Sequence, residues 1–189
     1  MIATAQKIID FYYRNEPELK ALLLEHSQSV WQKARSIAAS GGARLDLELL
    51  EAGCYLHDLG IIGCNAPSIG CFGQAHYLQH GLIGAQMLRD YDLKYGKVPH
   101  CEALCRICRT HIGSGITASE IAQSGLPLPE EDFLPESAEE KLICLADNFF
   151  SKSGDRQEKS LSGIRRKMLK FGEPSLERFD GMCALFDLK

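Results

Sequence analysis

Six histidines are spread along the chain, and four of them fall where a buried surface is expected. His26, His80 and His111 sit on apolar stripes at helical spacing, and His57 ends a further stripe beside Asp58. One such histidine is ordinarily a core residue bonded to a carbonyl. Four are hard to bury for packing alone, because each imidazole brings two ring nitrogens that need partners. Asp147 sharpens the point. It follows the run Leu142-Ile143-Cys144-Leu145-Ala146 and precedes Asn148-Phe149-Phe150, with no Lys or Arg between Lys141 and Lys152. A carboxylate in such a setting is costly unless a cation pairs with it. A metal ion answers both requirements, since neutral imidazole and carboxylate suit Fe, Mn, Zn, Ni or Co.

The elements that must position these groups read as helices. Pro17 suits the first residue of a long helix, along which Leu19, Leu23, His26, Val30, Ala34 and Ile37 form one face up to a stop at Gly41-Gly42. A second helix carries Leu49, Gly53 and Leu56 and delivers His57-Asp58 at its end, with Gly60 as the breaker. Residues 60–75, GIIGCNAPSIGCFGQA, read as a loop. A third helix stacks Tyr77, His80, Gly84, Met87 and Tyr91, and a fourth stacks Cys101, Leu104, Cys105, Cys108 and His111. Thr117-x-x-Glu120 and Ser137-x-x-Glu140 are capping-box patterns that each announce a helix, separated by the proline-rich acidic stretch GLPLPEEDFLPE. Two more helices are expected near 155–170 and 174–186. No strand alternation and no internal repeat stand out. The expectation is an all-α helical bundle in one domain over 1–189, with a ligand-bearing core over about 19–152 and C-terminal helices over 153–189.

Composition narrows the class. At 189 residues, 45% hydrophobic and 24% charged, the chain has the balance of a globule rather than a disordered or fibrous protein. A net charge of −4 argues against a general nucleic-acid or membrane-surface binder. The opening MIATAQKIIDFYYRNEPE has no uninterrupted apolar segment of the secretory kind, and no stretch reaches the ~18 apolar residues of a spanning helix. Eight cysteines without a leader read as reduced thiols, so a cytoplasmic location is expected.

The order His26, His57-Asp58, Asp147 resembles the HD superfamily of metal-dependent phosphohydrolases. CYLHDLG resembles its apolar-HD-apolar-Gly signature, and CLADNF its late apolar-Ala-Asp element. YLQHGLIGAQML and CRTHIGSGI resemble the two extra histidine segments of the subgroup with a two-metal site. The resemblance spans about residues 19–152 and is closest to the small stand-alone HD hydrolases of bacteria and archaea. It is similar also to the bacterial HD hydrolases of diadenosine tetraphosphate, but departs from them at LHDLG, where they carry a Lys shortly after the Asp. The resemblance implies an HD-domain helical bundle. His26, His57, Asp58 and Asp147 would hold a first metal, and Asp58 would bridge to a second held by His80 and His111. It implies one or two divalent transition metal ions, iron first, with Mn, Ni, Co or Zn as alternatives. The implied reaction is hydrolysis of a small phosphate ester, with a nucleotide as candidate, by a hydroxide held between two cations, Asp58 being the central catalytic carboxylate. Two rivals use the same residues: a di-iron HD-fold oxygenase, and a nucleotide-binding HD domain without catalysis.

Substrate contacts are expected from three further places. Gly113-Ser114-Gly115 could offer backbone N–H groups to a phosphate, a plain helix-ending turn being the alternative. His76 would share a face with His80 if the helix reaches back to it, and is otherwise a surface histidine. Lys152 could pair with phosphate or stand in solvent. Cys101-x₃-Cys105-x₂-Cys108 has the spacing of a radical-enzyme iron–sulfur motif, yet falls on one helix face, where small thiols pack beside a metal pocket. The stretch 151–170 holds seven basic and two acidic residues. With no aromatic interleaving, it reads as the wet face of a helix whose dry face is Leu161, Ile164 and Met168, not as a nucleic-acid patch. The partner expected is therefore a small phosphorylated molecule, with neither nucleic acid nor membrane, and the oligomeric state is left open.

Overall fold

A computed structural model describes residues 1–41, 43–96, 98–154 and 156–188. Gly42 and Asp155, both used in the sequence reading, lie outside the described residues. Among those described, the chain forms nine α-helices and one two-residue hairpin.

Helix α1, Ile2–Tyr12, buries Ala5, Ile8 and Ile9. Helix α2, Pro17–Ser40, starts with Pro17 in its first turn, where the missing N–H costs nothing, and buries the stripe Leu19, Leu23, His26, Val30, Ala34 and Ile37. Helix α3, Leu47–Leu56, is capped by Asp46, whose carboxylate accepts from the N–H groups of Glu48 and Leu49. It ends at Leu56, ahead of Gly60, and the chain continues as a tight helical turn over Leu59–Gly63.

Gly60 is thus not the breaker expected of it. It is a point of close approach: a Cβ there would lie 2.1 Å from the His80 carbonyl oxygen and 2.4 Å from the Gly84 nitrogen. Helix α4, His80–Tyr95, rests on this turn on one side and on helix α5, Cys101–Thr110, on the other. At the second contact a Cβ on Gly81 would lie 2.3 Å from the Cys108 carbonyl oxygen. Bare backbone at both contacts brings His80 close to Asp58 and to His111 at once.

The segment expected as a loop over 60–75 contains the only strands among the described residues. Strand β1, Asn65–Ala66, pairs antiparallel with β2, Cys71–Phe72, in the register Asn65 to Phe72 and Ala66 to Cys71. Gly70 turns the chain with a left-handed φ of 77°. Two-residue strands are too short to show alternation and leave no periodic signal.

Helix α6, Ala118–Ser124, carries the full Thr117/Glu120 box. Helix α7, Ala138–Asp147, has half of its own. The Ser137 hydroxyl accepts from the Glu140 N–H, but the buried Glu140 carboxylate turns away to Arg106, at 3.0 and 3.1 Å, locking α7 to α5. Helix α8, Leu161–Lys170, is shorter than the expected 155–170, because residues 156–160 are not helical and Ser160 caps it. Helix α9, Glu173–Leu185, follows the expected 174–186.

One cluster of buried side chains runs from Ala5 in α1 to Phe186 beyond α9, with α2 packed between α3 and α7. The C-terminal helices contribute Ile164, Met168, Phe179 and Met182 to it. All eight cysteines are free thiols. Among the described residues no helix is long and apolar enough to cross a membrane.

Candidate metal centre

Five elements deliver six side chains to one point. His26 comes from the middle of α2 and His57-Asp58 from the end of α3. His80 is the first residue of α4, His111 follows the last residue of α5, and Asp147 is the last residue of α7. His57 and Asp58 are fully buried, and Asp147 is 18% exposed.

The Asp58 carboxylate divides its two oxygens between two groups of nitrogens. Oδ2 faces His57 Nε2 at 3.0 Å and His26 Nε2 at 3.2 Å, while His26 Nε2 also lies 2.8 Å from Asp147 Oδ1. Oδ1 faces His80 Nε2 at 3.3 Å and His111 Nε2 at 3.5 Å. Two donor sets result, His26-His57-Asp58-Asp147 and Asp58-His80-His111, sharing the one aspartate.

The backbone fixes which nitrogen three of the four imidazoles present. Nδ1 of His57 donates to the Cys54 carbonyl at 2.7 Å, Nδ1 of His80 to the Tyr77 carbonyl at 2.6 Å, and Nδ1 of His111 to the Cys108 carbonyl at 2.8 Å. Each partner is three residues back in the chain. A ring that donates through Nδ1 offers, when neutral, only a lone pair at Nε2. His80 and His111 bring those two nitrogens within 2.9 Å of each other, an unfavourable meeting for two neutral acceptors unless a cation joins them. His57 Nε2 and both Asp58 oxygens receive no well-directed hydrogen bond, although all three atoms are buried. Donor separations near 3 Å are those that metal–ligand bonds of about 2.0–2.1 Å impose. The residues present fit a divalent-metal site on each of these counts.

Electrostatics follow from the crowding. Burial disfavours the His57 cation, but the Asp58 and Asp147 carboxylates outweigh it and raise its pKa to about 9. His80 goes the other way, lowered to about 3 by burial and by His111. Burial pushes the Asp58 and Asp147 carboxyls up, yet the cationic neighbours, His57 and Lys152 at Asp58 and Lys152 at Asp147, hold both well below the ordinary carboxylate range.

The centre opens into a pocket of about 290 Å³. Of the expected substrate contacts, Gly113 and Lys152 line it. Gly113 adopts φ 64°, and its carbonyl accepts from the Asn148 side-chain amide at 2.5 Å and from the Cys144 thiol. The turn it belongs to is fastened from α9: Arg178 donates to the carbonyls of Ser114 and Gly115 and pairs with Glu120. Lys152 is not in solvent. Its side chain is 10% exposed, and its ammonium lies 2.5 Å from Asp58 Oδ2. His76 stands apart. The α4 helix does not reach back to it; exposed, it caps the short turn Tyr77–Gln79, with its Nδ1 accepting from the Leu78 N–H.

Sequence reasoning missed two parts of the wall. Lys159 and Lys167, placed on a solvated face, also line the pocket, as do Ala66, Ser68 and Ile69 of the hairpin region. The basic run held the signal for the lysines. The three thiols of the rejected cluster motif each point to a carbonyl, Cys101 to Leu88, Cys105 to Ala85 and Cys108 to Leu56.

Residues 23–151 match the HD domain. The chain is 33% identical over 129 residues to an uncharacterized protein of Methanocaldococcus jannaschii, an alignment covering 67% of this chain and 64% of that one. It is 30% identical over 156 residues to a tRNA (cytidine(56)-2′-O)-methyltransferase of Thermoplasma volcanium, covering 82% of this chain and 39% of that enzyme. To the enzyme of the same name from Picrophilus torridus it is 30% identical over 130 residues, covering 69% and 32%. The chain therefore spans less than two thirds of the length of each of these relatives. No solved structure matches it.

Proposed function

The chain belongs to the HD domain family, and on that footing we propose that it is a metal-dependent phosphohydrolase acting on a small phosphate ester, with a nucleotide as the candidate substrate. The observation that carries the reading is the Asp58 carboxylate, shared between two donor sets at the foot of a lysine-lined pocket. Divalent ions bound there supply Lewis acidity toward water and toward phosphoryl oxygens. The protein's own groups do the rest. Asp58 and Asp147 offset the charge of the cations, while the Nδ1 bonds of His57, His80 and His111 hold their Nε2 atoms in place before any substrate arrives. Lys152, Lys159 and Lys167 give the pocket the sign that attracts a phosphate. Ile69, Ile112 and Phe150 add an apolar wall suited to the uncharged part of an ester, such as a nucleobase.

Two of the relatives bear names for methylation of a cytidine in tRNA. The match covers only 39% and 32% of their lengths, so methyl transfer is not part of this proposal. The test is phosphate release from a panel of esters, nucleoside monophosphates included, by protein reconstituted without oxygen. We expect turnover with iron and with at least one of Mn²⁺, Co²⁺ or Zn²⁺. No turnover with any metal, together with an oxygen-dependent product formed only with iron, would replace the hydrolase by an oxygenase.

A further inference from the structure

We propose that Lys152 is an internal counter-ion that the first metal displaces, so that metal loading releases a lysine into the pocket to receive the substrate's phosphate. The proposal rests on the cluster being a divalent-metal site and adds an order of events to it.

Lys152 and the first donor set claim the same atom. Asp58 Oδ2, the oxygen that faces His26 and His57, is also the oxygen 2.5 Å from the Lys152 ammonium. The contact is buried, with Asp58 fully covered and the lysine side chain 10% exposed. A divalent ion on His26, His57 and Oδ2 would place its charge and the ammonium charge against one oxygen, where little solvent screens them. The lysine is the partner that can yield. It stands on the non-helical stretch after α7, within two residues of Gly154 at φ 75°, and its four-carbon stem can swing without moving the backbone. Lys152 itself lines the pocket at the centre's mouth, beside the Tyr77 phenol. An ammonium freed from Asp58 into that space meets whatever anion occupies it. Metal binding and anion binding are then coupled, each tightening the other.

The test needs no substrate. Titrating Mn²⁺ into chelator-treated protein should give at least tenfold tighter binding to Lys152→Met than to the unaltered chain, because the ammonium that competes for Asp58 Oδ2 is gone. Inorganic phosphate should bind the Mn²⁺-loaded unaltered protein at least tenfold more tightly than the metal-free form, and Lys152→Met should lose most of that gain. A readout on the unaltered protein covers the case in which the variant does not fold. Amine-labelling followed by peptide mass spectrometry should find Lys152 protected in the metal-free form and severalfold more reactive once Mn²⁺ is bound. Equal or weaker Mn²⁺ affinity in Lys152→Met, or unchanged labelling of Lys152 in a chain that does bind Mn²⁺, overturns the exchange alone. Failure of Mn²⁺ to bind either protein overturns the exchange and the metal site together.

Discussion

Replacing Gly60 by alanine should cost the protein its second metal while sparing the first. The new methyl would start 2.1 Å from the His80 carbonyl oxygen and 2.4 Å from the Gly84 nitrogen, whereas ordinary contact begins near 3.4 Å. Both obstacles are backbone, so no side chain can rotate away, and the start of α4 must withdraw by about 1 Å. Forcing a methyl into such a contact costs roughly 1–3 kcal/mol. The same movement opens the gap between His80 Nε2 and Asp58 Oδ1, now 3.3 Å, by far more than the roughly 0.2 Å that metal–ligand bonds tolerate. His26, His57 and Asp147 stand on other elements and keep their places. Urea unfolding of metal-free protein, paired with elemental analysis after Mn²⁺ saturation, reads both effects. Gly181→Ala is the control: its methyl would meet nothing within 4 Å, and alanine within α9 should stabilise the chain by up to about 1 kcal/mol. Two tightly bound ions and unchanged stability in Gly60→Ala would refute the idea that bare backbone at this contact sets the second site.

Replacing Cys101, Cys105 and Cys108 together by alanine should leave metal content and turnover largely intact, at about 1 kcal/mol per site for a lost small group, as read by denaturation; loss of iron with a visible absorption band would reinstate the cluster motif. His57 has a folded pKa of about 9 against 6.5 unfolded, so in metal-free protein it adds stability that is full below pH 6.5 and lost as pH rises through about 9. Metal needs its lone pair, so Mn²⁺ affinity should climb with pH up to about 9, with at least one proton released near pH 7.5, measurable by calorimetry in buffers of different ionisation enthalpy. A pH-independent affinity would mean that His57 is not a ligand.

The helices were legible from local pattern, which also singled out the buried histidines and Asp147, while the set of six candidate ligands came with the resemblance to the HD superfamily. A stripe such as Leu19-Leu23-His26-Val30 shows which side of a helix is buried, and a histidine on that side must find partners there. What a buried group meets is set by the tertiary fold, and there the pattern was silent. Lys152 looks like any exposed lysine until the chain bends after α7 and points its stem at Asp58. Glu140 reads as a box partner for Ser137, but its ion pair with Arg106 of α5 prevails over the local bond. Gly60 is ambiguous by nature, since a glycine both ends helices and admits close neighbours. For His76 the surface alternative holds, because the Tyr77–Gln79 turn, with His76 as its cap, separates it from α4.

Whether one aspartate joins two metal sites is tested most directly by counting Mn²⁺ bound per chain, at saturation, in the unaltered protein and in Asp58→Ala. The shared carboxylate predicts two ions per unaltered chain and a severe loss of both in the variant, because each donor set forfeits its common ligand. Two ions retained in Asp58→Ala, or none bound by the unaltered chain, would contradict it.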